Sequence, residues 1–228
     1  MAQGREDRVE RDLWWRIGLA TVGNLLRLAF RIRFEGTGHI PEAGPALLAC
    51  NHVSVLDPPI VALGPSDRGR TVRFLAAAEF FDRPLVGWGL RTLKQIPIHR
   101  GARDQEALQE VAGVIRRGAL AGIFPEGGLG PGPLQRGRRG AARIALASRV
   151  PIVPAAIWGT HRRWPSGRLR TERPLRMPVA AVFGPLLEPH GDLDDPDSVQ
   201  SLTDRIMDAI AACLSRARSL ADPAQPRG

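Results

Sequence analysis

A histidine and an aspartate lie five residues apart in the segment ALLACNHVSVLDPP. On one continuous helix, five residues would separate His52 and Asp57 by roughly 140°, so their side chains meet only if the chain turns between them. A carboxylate against one imidazole nitrogen fixes the tautomer and supports the positive charge that forms when the other nitrogen accepts a proton. The pair therefore fits a general base and its orienting partner. The alternative is that Asp57 caps a helix beside an incidental histidine.

A cysteine close to this pair suggests a second possible mechanism, in which a thiol is the nucleophile. Cys50 lies two residues before His52 and therefore on the same side of a strand. A thiol nucleophile is the rival mechanism that follows from this spacing. Because a cysteine within a strand is more often buried and inert, we expect Cys50 to have no catalytic role.

Three further segments, IPIHRG, FPEGG and VPIVPAAIWGT, contain charged residues, glycines or prolines at the ends of apolar runs. Arg100 suits an anionic group, although it could equally be a solvated surface arginine. Glu126 follows a buried run, and its alternative is a structural carboxylate that accepts N–H bonds and ties down the loop PEGGLGPGPLQRG. That loop lacks the lysine and the serine or threonine of a P-loop, which excludes a nucleotide-phosphate site of that type.

Strand and helix patterns alternate along the chain. Period-two or continuous apolar runs predict strands at 30–35, 46–50, 72–77, 95–98, 119–124, 152–158 and 179–183. Helix patterns lie at 84–93, 104–117, 140–148 and 199–213, and Asp57-Pro58 predicts a helix start with aspartate at the N-cap. Such alternation predicts a single α/β domain with a largely parallel mixed sheet flanked by helices. The loops at the strand carboxyl ends should gather the site.

The N-terminal region differs from the rest. From Leu13 to Phe30 the chain is rich in Trp and Leu, but Arg16 and Arg27 interrupt it within fewer than the roughly 20 apolar residues that a membrane span needs. It fits an amphipathic helix in the lipid headgroup layer, and the alternative is a helix that covers the core. We therefore predict a membrane-interfacial segment at 1–30, one domain at 31–218 and a disordered tail at 219–228.

Composition limits the partners and the compartment. The net charge is +9, with Lys94 as the one lysine, which favours phosphate-bearing partners such as nucleic acid, anionic lipid or coenzyme A. An arginine-rich composition can also reflect a GC-rich genome. No recognition-helix, RNA-binding or zinc signature is present, so nucleic acid is not expected. Cys50 and Cys213 form neither a disulfide framework nor a metal cluster, and no cleavable signal is evident, so the site should face the cytoplasm.

Four segments follow one another along the chain: NHVSVLDP, IPIHRG, FPEGG and VPIVPAAIWGT. In this order they resemble the four sequence blocks of the glycerophospholipid acyltransferases. The resemblance runs from about Arg33 to Thr160. The resemblance implies that His52 deprotonates the sn-2 hydroxyl of lysophosphatidic acid for attack on the thioester of acyl-CoA or acyl carrier protein. Asp57 would orient His52. It implies no metal, no redox cofactor and no covalent acyl-enzyme. The N-terminal segment, the net charge and the expected compartment predict action at an anionic membrane surface, on its cytoplasmic face. The residues that the resemblance assigns to substrate binding are Arg100, Gly101, Glu126, Gly127 and Pro154.

One departure concerns the third block, which commonly continues as Glu-Gly-Thr-Arg in that family. Here Leu129 occupies the position of the arginine. Arg138 and Arg139 resemble a basic pair often found shortly downstream, so they are the candidates for the missing phosphate contact. Another lysolipid or a glycolipid hydroxyl remains an alternative acceptor. A non-catalytic basic protein that binds membranes or nucleic acid is the alternative from a different class.

Overall fold

Strands and helices alternate in the computed structural model, which describes residues 19–98, 105–130, 132–165 and 169–222. The strands are β1 Phe30–Glu35, β2 Ala46–Cys50, β3 Val72–Ala77, β4 Ile96–Ile98, β5 Leu120–Ile123, β6 Ile152–Trp158 and β7 Met177–Phe183. The α-helices are α1 Asn24–Ala29, α2 Asp57–Asp67, α3 Pro84–Thr92, α4 Gln105–Arg116, α5 Gly140–Ser148 and α6 Pro196–Ala221. Short 3₁₀ helices lie at Thr37–His39, Ala78–Phe80 and Thr160–Arg162.

The seven strands form one sheet in the order β1-β7-β6-β2-β5-β3-β4. Every neighbouring pair is parallel except β6 and β7, which are antiparallel. Strands β2 to β6 therefore all end at the same edge, called here the carboxyl edge, and β1 and β7 begin there. This arrangement confirms the predicted α/β fold with a largely parallel mixed sheet.

Apolar side chains are buried on both faces of the sheet. Helices α1 and α2 cover one face, and α4, α5 and α6 cover the other. The central strand β2 is buried along its whole length because it has helices on both sides. This double burial explains why its sequence, ALLAC, is continuously apolar rather than alternating.

The described N-terminal residues are helical. A π-helical turn, Leu19–Gly23, leads into α1, where Leu26 is buried in the core. Leu25 and Leu28 of the same helix are 64% and 63% exposed. The helix thus covers part of the core and also presents apolar side chains outward, and the interfacial role predicted for residues 1–30 stays a prediction. Within the described residues, no helix is long and apolar enough to cross a membrane.

The predicted disordered tail begins too early. Helix α6 continues through Ala221, which is buried, so residues 219–221 are helical. The end of the helix is held by other elements: Arg33 Nη1 donates to the Leu220 carbonyl at 3.2 Å, and the Asp222 carboxylate accepts from Trp158 Nε1 at 3.2 Å and from Arg162. Residues 1–18 and 223–228 lie outside the described part of the chain.

Helix α2 packs closely on the sheet at a glycine. A Cβ on Gly64 would lie 2.7 Å from the ring of Phe183, which is buried in the core. We therefore expect Gly64→Ala to lower the free energy of unfolding by about 1–3 kcal/mol, since the ring has no space to retreat.

The matched control for Gly64→Ala is Gly89→Ala in α3, where a Cβ would meet nothing within 4 Å. This variant should be neutral or more stable by roughly 0.5–1 kcal/mol, the usual gain from replacing glycine within a helix. Denaturant unfolding of both variants measures the difference. Equal effects of the two substitutions would contradict the close packing of α2.

Candidate active site

The loop that contains His52 begins with a hydrogen-bonded amide. Asn51 directly follows β2, and its side-chain Nδ2 donates to the Ile157 carbonyl at 3.1 Å. Its Oδ1 accepts from the Ile157 N–H at 2.8 Å. Asn51 is buried, so both bonds are shielded from water. The amide therefore joins the ends of the neighbouring strands β2 and β6 and fixes the point at which the chain turns toward His52.

Asp57 is fully buried and accepts four hydrogen bonds. Oδ2 accepts from His52 Nδ1 at 3.0 Å and from the N–H groups of Val53 and Ser54 at 2.6 and 2.7 Å. Oδ1 accepts from Thr160 Oγ1 at 2.6 Å. A carboxylate has about four acceptor sites, so these donors occupy them and hold the group in one orientation.

The structure corrects the predicted cap. Leu56 is the N-cap of α2 and Asp57 is its first helical residue, with Pro58 second. The carboxylate does not cap the helix because it turns back to the preceding loop, where it binds the Val53 and Ser54 N–H groups. The chain turn that the spacing of His52 and Asp57 required is therefore present.

The imidazole of His52 is held on its face as well as at its edge. Its ring stacks on Phe124 with 4.0 Å between centroids and 16° between planes. Phe124 stacks in turn on Phe74 at 5.3 Å. The His52 side chain keeps 16% of its surface exposed. No described residue bonds to Nε2, so the ring is oriented through Nδ1 and its Nε2 is available to a substrate.

Glu126 holds the backbone on the other side of His52. Its Oε1 accepts from the His52 N–H at 2.7 Å, and its Oε2 accepts from the Gln135 N–H at 2.9 Å. Gly130 N–H donates to the His52 carbonyl at 2.7 Å. Burial raises the pKa of the Glu126 carboxyl, and the two N–H donors partly offset this effect. These contacts support the structural alternative for Glu126, in which the carboxylate ties the glycine-rich loop to His52.

The glycine after Glu126 makes room for an arginine. Gly127 has φ +75°, and a Cβ there would lie 2.5 Å from Arg138 Nε. Arg138 N–H also donates to the Pro125 carbonyl at 2.8 Å. The exposed side chain of Arg138 therefore lies against the loop that contacts His52.

Two other predicted residues, Arg139 and Pro154, are not brought to this cluster. Arg139 Nε donates to Gln200 Oε1 of α6 at 2.9 Å, so its side chain is directed to that helix and not to the loop. Pro154 is buried within β6, where its carbonyl accepts from the Gly184 N–H at 2.7 Å. Its placement supports a role in the sheet and not in substrate binding. Arg100 and Gly101 lie outside the described residues.

No local pattern indicated Thr160 or its neighbours. Thr160 is fully buried and reaches Asp57 from the loop after β6. Gly159 before it has φ +105°, and a Cβ there would lie 2.4 Å from the Pro178 carbonyl. Ser54 Oγ donates to the Trp164 carbonyl at 2.7 Å, which joins the two loops again. The one available signal was that Thr160 ends the fourth sequence block.

The environment of Cys50 does not favour a nucleophile. Burial raises the pKa of the thiol well above its ordinary value, and the nearby charge of Asp57 adds to the effect. The thiolate is the reactive form, and the raised pKa keeps the sulfur protonated near neutral pH. The thiol mechanism therefore has no support from this site.

The Thr160–Asp57 bond can be tested by stability. Thr160→Val keeps the shape of the side chain but removes the donor, which leaves a buried carboxylate oxygen unpaired. Because a hydrogen bond to a charged group contributes about 1.5–3 kcal/mol, we expect a loss of that size in denaturant unfolding. Thr203→Val is the control, since Thr203 is also buried but donates to the carbonyl of Val199 within its own helix. A control as destabilised as Thr160→Val would show that the Asp57 contact contributes nothing particular.

Comparisons with known proteins bear on the family of this chain. The model of the family described as Acyltransferase matches residues 31–158. A chloroplastic 1-acyl-sn-glycerol-3-phosphate acyltransferase of Arabidopsis thaliana is 30% identical over 142 residues, which cover 60% of this chain and 39% of that protein. An uncharacterised protein of Mycobacterium tuberculosis is 28% identical over 232 residues, which cover 82% of this chain and 62% of that protein. The chain thus spans about 40 to 60% of the length of these two relatives.

A solved structure shares the fold. The crystal structure of the 1-acyl-sn-glycerophosphate acyltransferase PlsC from Thermotoga maritima superposes with a TM-score of 0.67 at 24% identity. The match covers 88% of this chain and 78% of that one. The matched family segment includes His52, Asp57 and Glu126, together with the ends of the parallel strands β2 to β6. It stops at Trp158, where β6 also ends. On the extent of that match, the chain belongs to the acyltransferase family.

Proposed function

We propose that this chain transfers a fatty acyl group from a thioester to the sn-2 hydroxyl of lysophosphatidic acid and so forms phosphatidic acid. The observation that carries the proposal is the His52–Asp57 pair, with Nδ1 fixed at 3.0 Å from the carboxylate and Nε2 left for a substrate. The named relatives support the choice of acceptor, since they include 1-acyl-sn-glycerol-3-phosphate acyltransferases of Arabidopsis thaliana and Bacillus subtilis.

The proposed reaction uses His52 as base and then as acid. Nε2 accepts the hydroxyl proton while the oxygen attacks the thioester carbon, which gives a tetrahedral oxyanion. Collapse of this intermediate forms the ester and breaks the carbon–sulfur bond. The leaving thiolate takes the proton from the imidazolium, so neutral His52 is restored and a free thiol is released. A positioned base contributes roughly 10²- to 10⁴-fold, and alignment of two bound substrates adds to it.

Asp57 and the glycine-rich loop have separate parts in this scheme. The Asp57 carboxylate accepts from Nδ1 and stabilises the imidazolium that forms during attack. The oxyanion needs hydrogen-bond donors. The N–H groups of Gly127 and Gly130 already donate to the carbonyls of Phe124 and His52. The N–H groups of Gly128 and Leu129, which lie between them, meet no acceptor in the described residues. These two N–H groups are therefore the candidate donors to the oxyanion.

The thioester donor is acyl-CoA or acyl carrier protein. The thioester is already an activated acyl group, so the scheme requires neither a metal nor a redox cofactor. Both donors are cytoplasmic, and the acceptor is a membrane lipid. We therefore place the reaction at the cytoplasmic face of the cell membrane, with the lysophospholipid presented from the bilayer.

Arg138 is the candidate ligand for the acceptor phosphate. A phosphate monoester carries nearly two negative charges near neutral pH, and a guanidinium binds it with paired hydrogen bonds. Arg138 lies against Gly127, and the same loop reaches His52 through Glu126. Arg100 remains a second candidate from the resemblance alone. Leu129, in place of an arginine, favours the second candidate function, in which the acceptor is another lysolipid or a glycolipid.

The base is tested with His52→Ala, assayed by thiol release from palmitoyl-CoA in the presence of lysophosphatidic acid. Loss of the base should lower turnover by at least about 10²- to 10⁴-fold while the chain stays folded, because Asp57 Oδ2 keeps the Val53 and Ser54 N–H donors. Cys50→Ala is the control and should leave turnover nearly unchanged. Activity retained by His52→Ala would end the proposal, and loss in Cys50→Ala equal to that in His52→Ala would restore the thiol mechanism.

The phosphate contact is tested by comparing two adjacent arginines. Arg138→Ala should raise the apparent KM for lysophosphatidic acid by about 10- to 100-fold, since a hydrogen bond to a charged group contributes about 1.5–3 kcal/mol. The KM for the thioester should change less. Arg139→Ala is the matched control, because its side chain binds Gln200, and it should leave both KM values nearly unchanged.

The same assay separates the two acceptor classes. If a phosphate-free acceptor is used as well as lysophosphatidic acid, and Arg138→Ala changes neither KM, the acceptor is not recognised by its phosphate. Leu129, in place of an arginine, would then be the sequence feature that indicates another lysolipid or a glycolipid as the acceptor. If no acceptor supports turnover, the chain is a binding protein of the acyltransferase fold.

A further inference from the structure

Helix α3 presents an apolar surface to solvent. Leu85 is 86% exposed, Trp88 is 61% exposed and Val86 is 47% exposed. Leu85 and Trp88 are three residues apart and so lie on one side of the helix, while Gly87 is its one buried residue. Helices that pack on a core bury their apolar stripe. This helix does the reverse, and large apolar side chains clustered on a surface indicate an interaction site.

Strand register places the start of the connection that leads to this helix near the active site. Leu48 of β2 and Phe74 of β3 both pair with Gly122 of β5. His52 lies four residues after Leu48, and Ala78 lies four residues after Phe74, so both lie at the same height at the carboxyl edge. Two interstrand spacings separate them, which is roughly 10 Å. The 3₁₀ helix Ala78–Phe80 and then α3 start from that point.

Other exposed apolar side chains share this edge. Twelve large apolar residues are exposed in the described part of the chain. Eleven belong to segments that follow or precede a strand at the carboxyl edge. Val55 lies in the loop that contains His52, and Leu129 lies in the glycine-rich loop that contacts it. The exception is Leu186, which follows β7 at the opposite edge and is 41% exposed. The exposed apolar side chains are therefore concentrated in segments that connect to the edge where His52 lies.

Segments that leave the carboxyl edge carry an excess of positive charge. The connection from β6 to β7, residues 159–176, contains six arginines and one acidic residue, Glu172. Arg83 lies at the start of α3 with its guanidinium 5.2 Å from the centre of the Phe80 ring. Glu79 and Asp82 are the carboxylates next to it in sequence. Exposed Leu and Trp bordered by arginines are typical of a surface that enters the headgroup layer of an anionic bilayer.

We propose that Phe80, Leu85, Val86 and Trp88, called here the α3 face, insert into the surface of an anionic membrane and hold the carboxyl edge against it. This contact is distinct from the N-terminal helix. It rests on the proposed function only in explaining why the active site should face lipid. Insertion brings Nε2 of His52 toward the bilayer, so a lysophospholipid reaches it without leaving the headgroup layer.

The test uses the purified full chain and vesicles of phosphatidylcholine mixed with phosphatidylglycerol. The double variant Leu85→Ser with Trp88→Ser should bind these vesicles about 10- to 100-fold more weakly in a sedimentation assay, because each lost apolar contact contributes about tenfold. Leu186→Ser is the matched control and should bind as the parent does. Vesicles of pure phosphatidylcholine should bind the parent more weakly than anionic vesicles.

Amide hydrogen exchange provides a second measurement. It reports on α3 directly, even if the N-terminal helix also binds the vesicles tightly. Amides of α3 should exchange more slowly when anionic vesicles are present. Unchanged exchange in α3, or equal vesicle binding by the double variant and the parent, overturns the proposal. Should the double variant instead turn a dimer into a monomer without lipid while vesicle binding is unaltered, the α3 face is an interface between two copies.

Turnover with detergent-dispersed substrate separates this proposal from the proposed function. The double variant should keep the parent's turnover with dispersed lysophosphatidic acid and lose it with vesicle-bound acceptor. Vesicle binding through α3 without any turnover would leave the docking surface standing and remove the assigned reaction.

Discussion

The Asp57 carboxylate needs donors because it is fully buried and bonds to no arginine or lysine in the described part of the chain. A buried carboxylate is tolerated only when hydrogen bonds replace its hydration. The fold supplies these donors from three places: the turn at Val53 and Ser54, the ring of His52 and the hydroxyl of Thr160, which is 103 residues away in sequence. The β2 and β6 strands must be neighbours for the last donor to arrive. The orientation of His52 is therefore a property of the sheet order and not of one loop.

A second buried carboxylate complements the first. Asp57 binds the side chain of His52 and the loop that follows it, whereas Glu126 binds the backbone N–H of His52 and that of Gln135. The carbonyl of His52 accepts from Gly130. The histidine is thus held by its side chain, its amide and its carbonyl, each from a different segment. Such multiple support is how a catalytic group keeps one geometry while its free nitrogen exchanges protons.

The sequence predicted the strand and helix order closely because apolar periodicity is local. It also predicted the His52–Asp57 contact, since a turn over five residues is local too. It did not predict Thr160, whose bond to Asp57 depends on which strands become neighbours. Nor did it predict the contact of Arg139 with Gln200, which comes from a helix far along the chain. Side-chain direction at an exposed loop is decided by distant packing, which a linear pattern does not contain.

The stacked rings of Phe74, Phe124 and His52 link the orientation of the imidazole to the absence of a side chain at position 122. A Cβ on Gly122 would lie 2.4 Å from the Phe74 ring, so the ring occupies the space that a side chain would fill. Natural variation at these positions is therefore coupled: a larger residue at 122 is compatible with the fold only when position 74 becomes smaller. That exchange would remove the support on which Phe124 rests. Changes at these two strand positions thus alter the support of the imidazole, and the two positions should co-vary across related chains.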